Sequence, residues 1–242
     1  MKKIILILSL LLPLAALASE DVHLDKAPIN PGDKESLQRG AKVFVNYCLN
    51  CHSAASMRYN RLHDIGLTDE QIKANLLFAG EKVGETMTVA MRSGDAKLWL
   101  GAPPPDLSVI ARSRGVDWLY TYMRGFYRDD TRPTGWNNTA FASVGMPHVL
   151  WQLQGEQRLK VTETVDEDGH KTEIHALELV KPGKLSPAEY DAMVADLVNY
   201  LDFMAEPGKV KRYNLGVVVL IFLAIFFFVA LALKKEFWKD VH

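Results

Sequence analysis

From Leu215 to Leu233 the chain carries nineteen consecutive residues without a charge. A bilayer core offers no water to satisfy a backbone, so an apolar run of this length has one conformation open to it, a continuous helix. At ~1.5 Å per residue it would span about 28 Å, close to the ~30 Å hydrocarbon thickness. Lys209, Lys211 and Arg212 precede the run; Lys234, Lys235 and Lys239 follow it, with Trp238 placed as an interfacial anchor. Its Phe, Val, Leu and Ile residues go all the way round, including Phe226-Phe227-Phe228, which argues against a core helix with one buried face.

The other end is also a membrane signal. Met1-Lys2-Lys3 is followed by an apolar stretch from Ile4 to Leu12, then Pro13 and Leu14-Ala15-Ala16-Leu17-Ala18. A basic start, a short apolar region and an A-x-A site describe a secretory signal peptide, cleaved after Ala18. The basic residues flanking the C-terminal span are too evenly split to orient it, so the signal peptide does. The expected organisation is a signal peptide over 1–18, a periplasmic domain over 19–208, and a transmembrane anchor with a short cytoplasmic tail over 209–242. The chain would sit in the cytoplasmic (inner) membrane as a single-pass protein in contact with lipid.

Composition narrows the class further. Of 242 residues 48% are apolar, and 28 Lys+Arg stand against 29 Asp+Glu, which excludes a disordered tail protein. A charged fraction of 24% excludes a polytopic membrane protein. There is no basic excess of the kind nucleic acid binding requires. Two cysteines cannot build a disulfide framework or a four-thiolate zinc site. Between Glu20 and Glu206, however, 20 Lys+Arg face 27 Asp+Glu, so the exported domain is acidic. That bias suits a basic soluble partner or plain solubility.

Along the exported domain, Leu37, Ala41, Phe44, Val45 and Cys48 recur at helical spacing and predict one buried face. Gly40 lies on or beside that face, where a missing side chain lets another helix approach. Thr68-Asp69-Glu70-Gln71 predicts a capped helix, and Gly101-Ala102-Pro103-Pro104-Pro105-Asp106 an extended segment. Helical spacing is also expected from Leu107 to Ile110 and from Val116 to Tyr127, and a loop from Thr131 to Gly145. The β-type runs of Arg158–Val180 around Asp168-Gly169 predict a hairpin. Ser186-Pro187-Ala188-Glu189 starts a long helix that carries Tyr190, Met193, Val194, Leu197, Leu201 and Met204, and that Pro207-Gly208 ends.

Cys48-Leu49-Asn50-Cys51-His52 is a C-x-x-C-H, the attachment pattern of c-type haem. Two thiols three residues apart can add across the two vinyl groups of one porphyrin, and the adjoining His52 then serves as an axial ligand. A thioredoxin-like C-x-x-C would need a βαβ setting, whereas here the cysteines end a helix. A zinc site would need further ligands. Export agrees with haem attachment outside the cytoplasm.

For the sixth position, Met57 is too close to the attachment site. Met193 and Met204 belong to an apolar stripe, and Met87, Met91 and Met123 fall in expected helical segments where methionine packs. Met146 differs, because Gly145-Met146-Pro147 forms an extended loop able to lay a side chain over a haem face. His148 is its main competitor. A thioether favours ferrous iron and raises the potential, so the choice matters. Arg112 and Arg114 are candidates for the haem propionates, since guanidinium matches carboxylate, or else a solvated surface pair.

Taken together these segments resemble the cytochrome c1 family, the haem subunit of the cytochrome bc1 complex, in a bacterial form. Gly40 to His52 resembles the family's leading helix and haem site. Gly101 to Ser108 resembles its P-P-D-L-S segment, with Arg112 and Arg114 at its arginine pair. Gly145-Met146-Pro147 resembles its sixth-ligand loop, and Ala205-Glu206-Pro207 with the following span its entry to the membrane. The chain has no cysteines left for the second disulfide of some bacterial relatives.

The resemblance implies a mainly α, class I cytochrome c-type domain with a β-hairpin insertion and one C-terminal transmembrane helix. It implies one covalently attached haem c, held by Cys48 and Cys51 and ligated by His52 and Met146. Its partners would be the cytochrome b subunit, the Rieske iron–sulfur protein that supplies the electron, and a soluble cytochrome c that receives it, in a dimer of the complex. Such a subunit makes no bond of its own; the enzyme is the assembly. The alternatives are an anchored carrier feeding a terminal oxidase, a haem-based ligand sensor with an open sixth site, and, more distantly, a thiol redox module.

Overall fold

The computed structural model describes residues 23–165 and 171–240. The expected signal peptide and the Asp168-Gly169 turn expected from the sequence lie outside them. Helix α1, Lys34–Val43, starts at Asp33, whose side chain accepts from the Ser36 backbone N–H. It runs into a widened π turn, Phe44–Cys48. The apolar stripe read from the sequence is the buried face: Leu37, Ala41, Phe44, Val45 and Cys48 are each under 9% exposed.

Strand β1, Ala54–Arg58, leads into a 3-10 segment, Tyr59–Ile65. Helix α2, Asp69–Asn75, follows with the expected capping box, the Thr68 and Gln71 side chains each accepting from the other's backbone N–H. Strand β2, Thr86–Met87, pairs antiparallel with β1. The sequence pattern places Met87 and Met91 in helices; Met87 is instead a fully buried strand residue, and Met91 lies in the loop before helix α3, Ser93–Leu100.

Helices α4, Ile110–Arg114, and α5, Val116–Arg124, follow the proline segment. Leu107 is not helical: its N–H is drawn to the Ser53 carbonyl instead. Helix α5 stops before Tyr127, because Phe126–Arg128 forms β3 and pairs with β4, Trp136–Asn138. That short strand sits inside the stretch expected to be loop throughout.

Helix α6, Trp151–Gln154, precedes the hairpin of β5, Gly155–Val165, and β6, Lys171–Pro182. The ladder runs from Gly155 opposite Pro182 to Val165 opposite Lys171, longer than the sequence pattern suggested. Helix α7, Pro187–Ala205, opens with the Ser186–Glu189 capping box. It packs across α1 and against α5, and its Tyr190, Val194, Leu197, Leu201 and Met204 are buried.

After Pro207-Gly208 comes helix α8, Lys209–Phe237, whose apolar segment has a mean hydropathy of 3.2 and none of it buried. Ion pairs tie its root to α7: Lys209 to Asp202 at 2.8 Å and Arg212 to Glu206 at 2.6 Å.

Candidate functional site

Both cysteines are free, Cys48 buried and Cys51 partly so. The π turn places them: the Leu49 N–H reaches back to the Phe44 carbonyl at 3.0 Å, and the Cys51 and His52 N–H groups both bond the Cys48 carbonyl. Widened turns of this kind are frequent at functional sites. Burial, reinforced by Cys51, pushes the Cys48 thiol up to about 12. An environment that opposes a thiolate this strongly suits a neutral sulfur, as in a thioether, better than an anionic metal ligand.

His52 is held by the segment that the prolines keep extended. Its Nδ1 lies 2.7 Å from the Pro105 carbonyl oxygen. A carbonyl can only accept, so Nδ1 carries the proton and Nε2 keeps its lone pair free for a metal. Burial lowers the His52 pKa, the Pro105 bond opposing it, and this too keeps the ring neutral and ready to ligate.

The Pro105 position is fixed by its neighbours. Asp106 accepts from the Ala55 and Ser108 backbone N–H groups, both at 2.8 Å. Burial works against its charge, but these bonds outweigh it and hold the carboxyl below the usual carboxylate range. Ser108 Oγ accepts from the Ser56 N–H, and the Ser53 carbonyl from Leu107. The P-P-D-L-S segment is therefore stitched to the residues just after C-x-x-C-H, which sets the Pro105 carbonyl against the His52 ring.

Met146 lies in the loop between β4 and α6, partly buried against the core. Asn137 and Asn138 build the loop's base. Asn137 Oδ1 accepts from Ser143 N–H, Asn138 Oδ1 from Ala140 N–H, and Asn138 Nδ2 donates to the Tyr122 carbonyl. Ser143 takes up a left-handed backbone, φ 59°, within this anchored turn. The Tyr122 hydroxyl donates to the Met146 sulfur at 3.4 Å.

His148, the competing ligand, is turned into the core. It is 1% exposed, stacked on Phe126 at 4.7 Å and edge-on to Trp136 at 5.0 Å. Neither ring nitrogen makes a well-formed hydrogen bond among the described residues. Burial pushes its pKa down to about 4, the nearby Gln154 side chain opposing and Arg128 adding to it.

The two arginines separate. Arg114 lies over the Trp118 ring at 5.1 Å and near Phe141 at 5.9 Å. Trp118 stacks on Tyr122 at 4.8 Å, so a line of contacts runs from Arg114 to Met146. Arg112 is exposed and no side-chain partner of it is seen among the described residues. Sequence reasoning missed Pro105 and Asp106 as orienting groups, Tyr122 as a thioether partner, and the two asparagines. The proline run was the one available signal, since only a fixed extended segment can present a carbonyl so reproducibly.

The donor set fits a haem: two free thiols, an imidazole with one committed nitrogen, and a thioether with one committed lone pair. A mainly helical domain with C-x-x-C-H closing its first helix, and one unburied apolar helix at its end, defines a membrane-anchored c-type cytochrome. Residues 25–241 match the model of the Cytochrome C1 family. The chain is 50% identical, over all of both chains, to cytochrome c1 of Allochromatium vinosum. It is also 50% identical to a protein named ammonia monooxygenase gamma subunit of Nitrosomonas europaea, over 100% of this chain and 99% of that one. A cytochrome b/c1 of Bradyrhizobium diazoefficiens is 28% identical over 89% of this chain and 34% of its own length. The chain belongs to the cytochrome c1 family. It is accordingly an electron-transport protein of the cytochrome bc1 complex with one covalently attached haem c, mainly α, with a hairpin and one C-terminal apolar helix that fits membrane anchoring.

Proposed function

We propose that Cys48 and Cys51 hold the haem through thioether bonds, that His52 Nε2 and Met146 Sδ are its axial ligands, and that Arg112 and Arg114 serve the propionates. The haem supplies one-electron chemistry at its iron. The observation that carries this reading is the His52–Pro105 bond inside a C-x-x-C-H: the motif's own imidazole is oriented by a protein carbonyl and left with one free donor atom. With both axial positions filled by side chains, the site favours outer-sphere electron transfer over binding of a small ligand, which sets aside the sensor alternative.

In this reading the electron comes from a Rieske iron–sulfur protein and leaves to a soluble cytochrome c, and the chain sits beside a cytochrome b subunit in a dimeric complex. The fused cytochrome b/c1 relative supports the pairing with cytochrome b. The periplasmic side, the division at 18 and 208, and signal cleavage after Ala18 belong to the same proposal, supported by the basic, apolar and A-x-A pattern of the N-terminus. The ammonia monooxygenase name describes the relative that bears it; the reading here rests on the haem motif and on family membership.

Purification from membranes tests it. Cytochrome b and a Rieske protein should accompany the chain, quinol should reduce its haem, and acid–acetone extraction should leave the haem on the polypeptide. An anchored chain recovered with a terminal oxidase and no cytochrome b would reject the reading.

A further inference from the structure

Resting on Met146 as a haem ligand, we infer that Tyr122 is a positioning residue for it: the Tyr122 hydroxyl fixes the thioether in one orientation and draws electron density from its sulfur. A thioether sulfur has two lone pairs. The hydroxyl, 3.4 Å away, takes one and leaves the other as the sole donor. The arrangement parallels His52, whose second nitrogen is committed to Pro105.

Tyr122 is well placed to hold such a bond. Its ring is gripped from one side by Trp118, stacked at 4.8 Å and 13°, and from another by Phe126, edge-on at 5.1 Å. Its backbone carbonyl is tied to Asn138, which also anchors the loop that carries Met146. The side chain is buried, and the Met146 sulfur is the hydroxyl's one hydrogen-bond partner found among the described residues. A group so immobilised loses little further freedom on making its bond, so the contact is preorganised. A sulfur that shares a lone pair with a donor pushes less charge toward iron, which disfavours the ferric state and raises the potential.

The test is Tyr122→Phe in the purified complex, with Met146→Leu beside it. The phenylalanine keeps the ring stack and removes only the hydroxyl. The ferrous/ferric equilibrium should shift about fivefold toward ferric, on the order of 40 mV at ~59 mV per tenfold for one electron. The sulfur-to-iron charge-transfer band of the ferric protein should move while persisting. Carbon monoxide should fail to bind the native ferrous protein and should bind the variant slowly as the thioether loosens. If Met146→Leu abolishes that band but Tyr122→Phe changes neither band nor potential, Tyr122 has no such role. If Met146→Leu leaves the band intact, the ligand assignment has failed and this inference with it. Should Tyr122→Phe prove unstable, Trp118→Phe, which loosens the stack but keeps the hydroxyl, must give a smaller shift in the same direction; an equal or larger one overturns the hydrogen-bond explanation.

Discussion

Gly40 of α1 and Asp196 of α7 meet backbone to backbone: a Cβ at Gly40 would overlap the Asp196 carbonyl and lie 2.7 Å from Tyr200 Cβ. Beside the contact, Arg39 pairs with Asp196 at 2.6 Å. The crossing of these two helices sets where α1 ends, and therefore where Cys48 and His52 are presented. Gly40→Ala should force the helices apart, because the overlapping atoms are backbone and cannot rotate away. Overpacking typically costs ~1–3 kcal/mol, and a backbone overlap belongs at or above the top of that range. Thermal unfolding of the holoprotein checks it. An unchanged melting temperature would mean that the two backbones do not approach this closely.

Asp106 stitches the proline segment to the haem motif, so its loss should be felt at His52. Asp106→Ala removes the acceptor for the Ala55 and Ser108 N–H groups. The residue is largely exposed and its carboxylate only partly desolvated, so the stability cost should be about 1 kcal/mol. The more telling readout is the imidazole: with Pro105 freed, the ligand field should broaden in the ferric electron paramagnetic resonance spectrum. A spectrum identical to wild type would show that Pro105 holds its position unaided.

Local pattern made much of this visible in the sequence. The Leu37-to-Cys48 stripe, both capping boxes and the break at Pro207-Gly208 each follow from residues within a few positions of one another. The hairpin was legible too, though its tip lies outside the described residues. What stayed hidden depends on distant partners. Helix α5 ends at Arg124 because Phe126–Arg128 pairs with Trp136–Asn138, a choice the helical spacing around Tyr127 does not encode. The candidate site divides the same way. C-x-x-C-H is a local motif, whereas His52 meets Pro105 across 53 positions and Tyr122 meets Met146 across 24.

His148 predicts a loss of stability in acid. Its pKa lies at about 4 in the folded protein because burial disfavours the charged ring. An unfolded histidine titrates near 6.5. Between these values the unfolded state binds more protons, so stability is full above about 6.5 and falls as the pH drops toward 4. The loss should approach ~3 kcal/mol at ~1.36 kcal/mol per pH unit. Urea midpoints measured from pH 7 to 4 should decline in wild type and decline less in His148→Phe. Parallel curves for the two proteins would assign the acid sensitivity elsewhere.

Met146→Leu should lower the midpoint potential, because an aliphatic side chain offers iron no lone pair and the ferrous state loses its thioether. Axial ligands command ~0.8 V in all, and a drop on the order of 0.1 V is expected. Electron acceptance from the Rieske centre should slow accordingly. Redox titration of the purified complex decides it; a potential within error of wild type would remove Met146 from the ligand set.

Electron delivery to a basic soluble carrier should slow as salt rises. The region between Glu20 and Glu206 holds 20 Lys+Arg against 27 Asp+Glu, so its net field attracts cations. That attraction reaches ~10 Å at 0.1 M ionic strength and only ~3 Å at 1 M. The bimolecular rate of carrier reduction should therefore fall several-fold between low and high salt, while the internal rate of haem reduction by quinol stays level. The second measurement separates steering from damage, because salt that disrupted the complex would slow both. A carrier rate independent of ionic strength would leave the acidic balance to solubility alone.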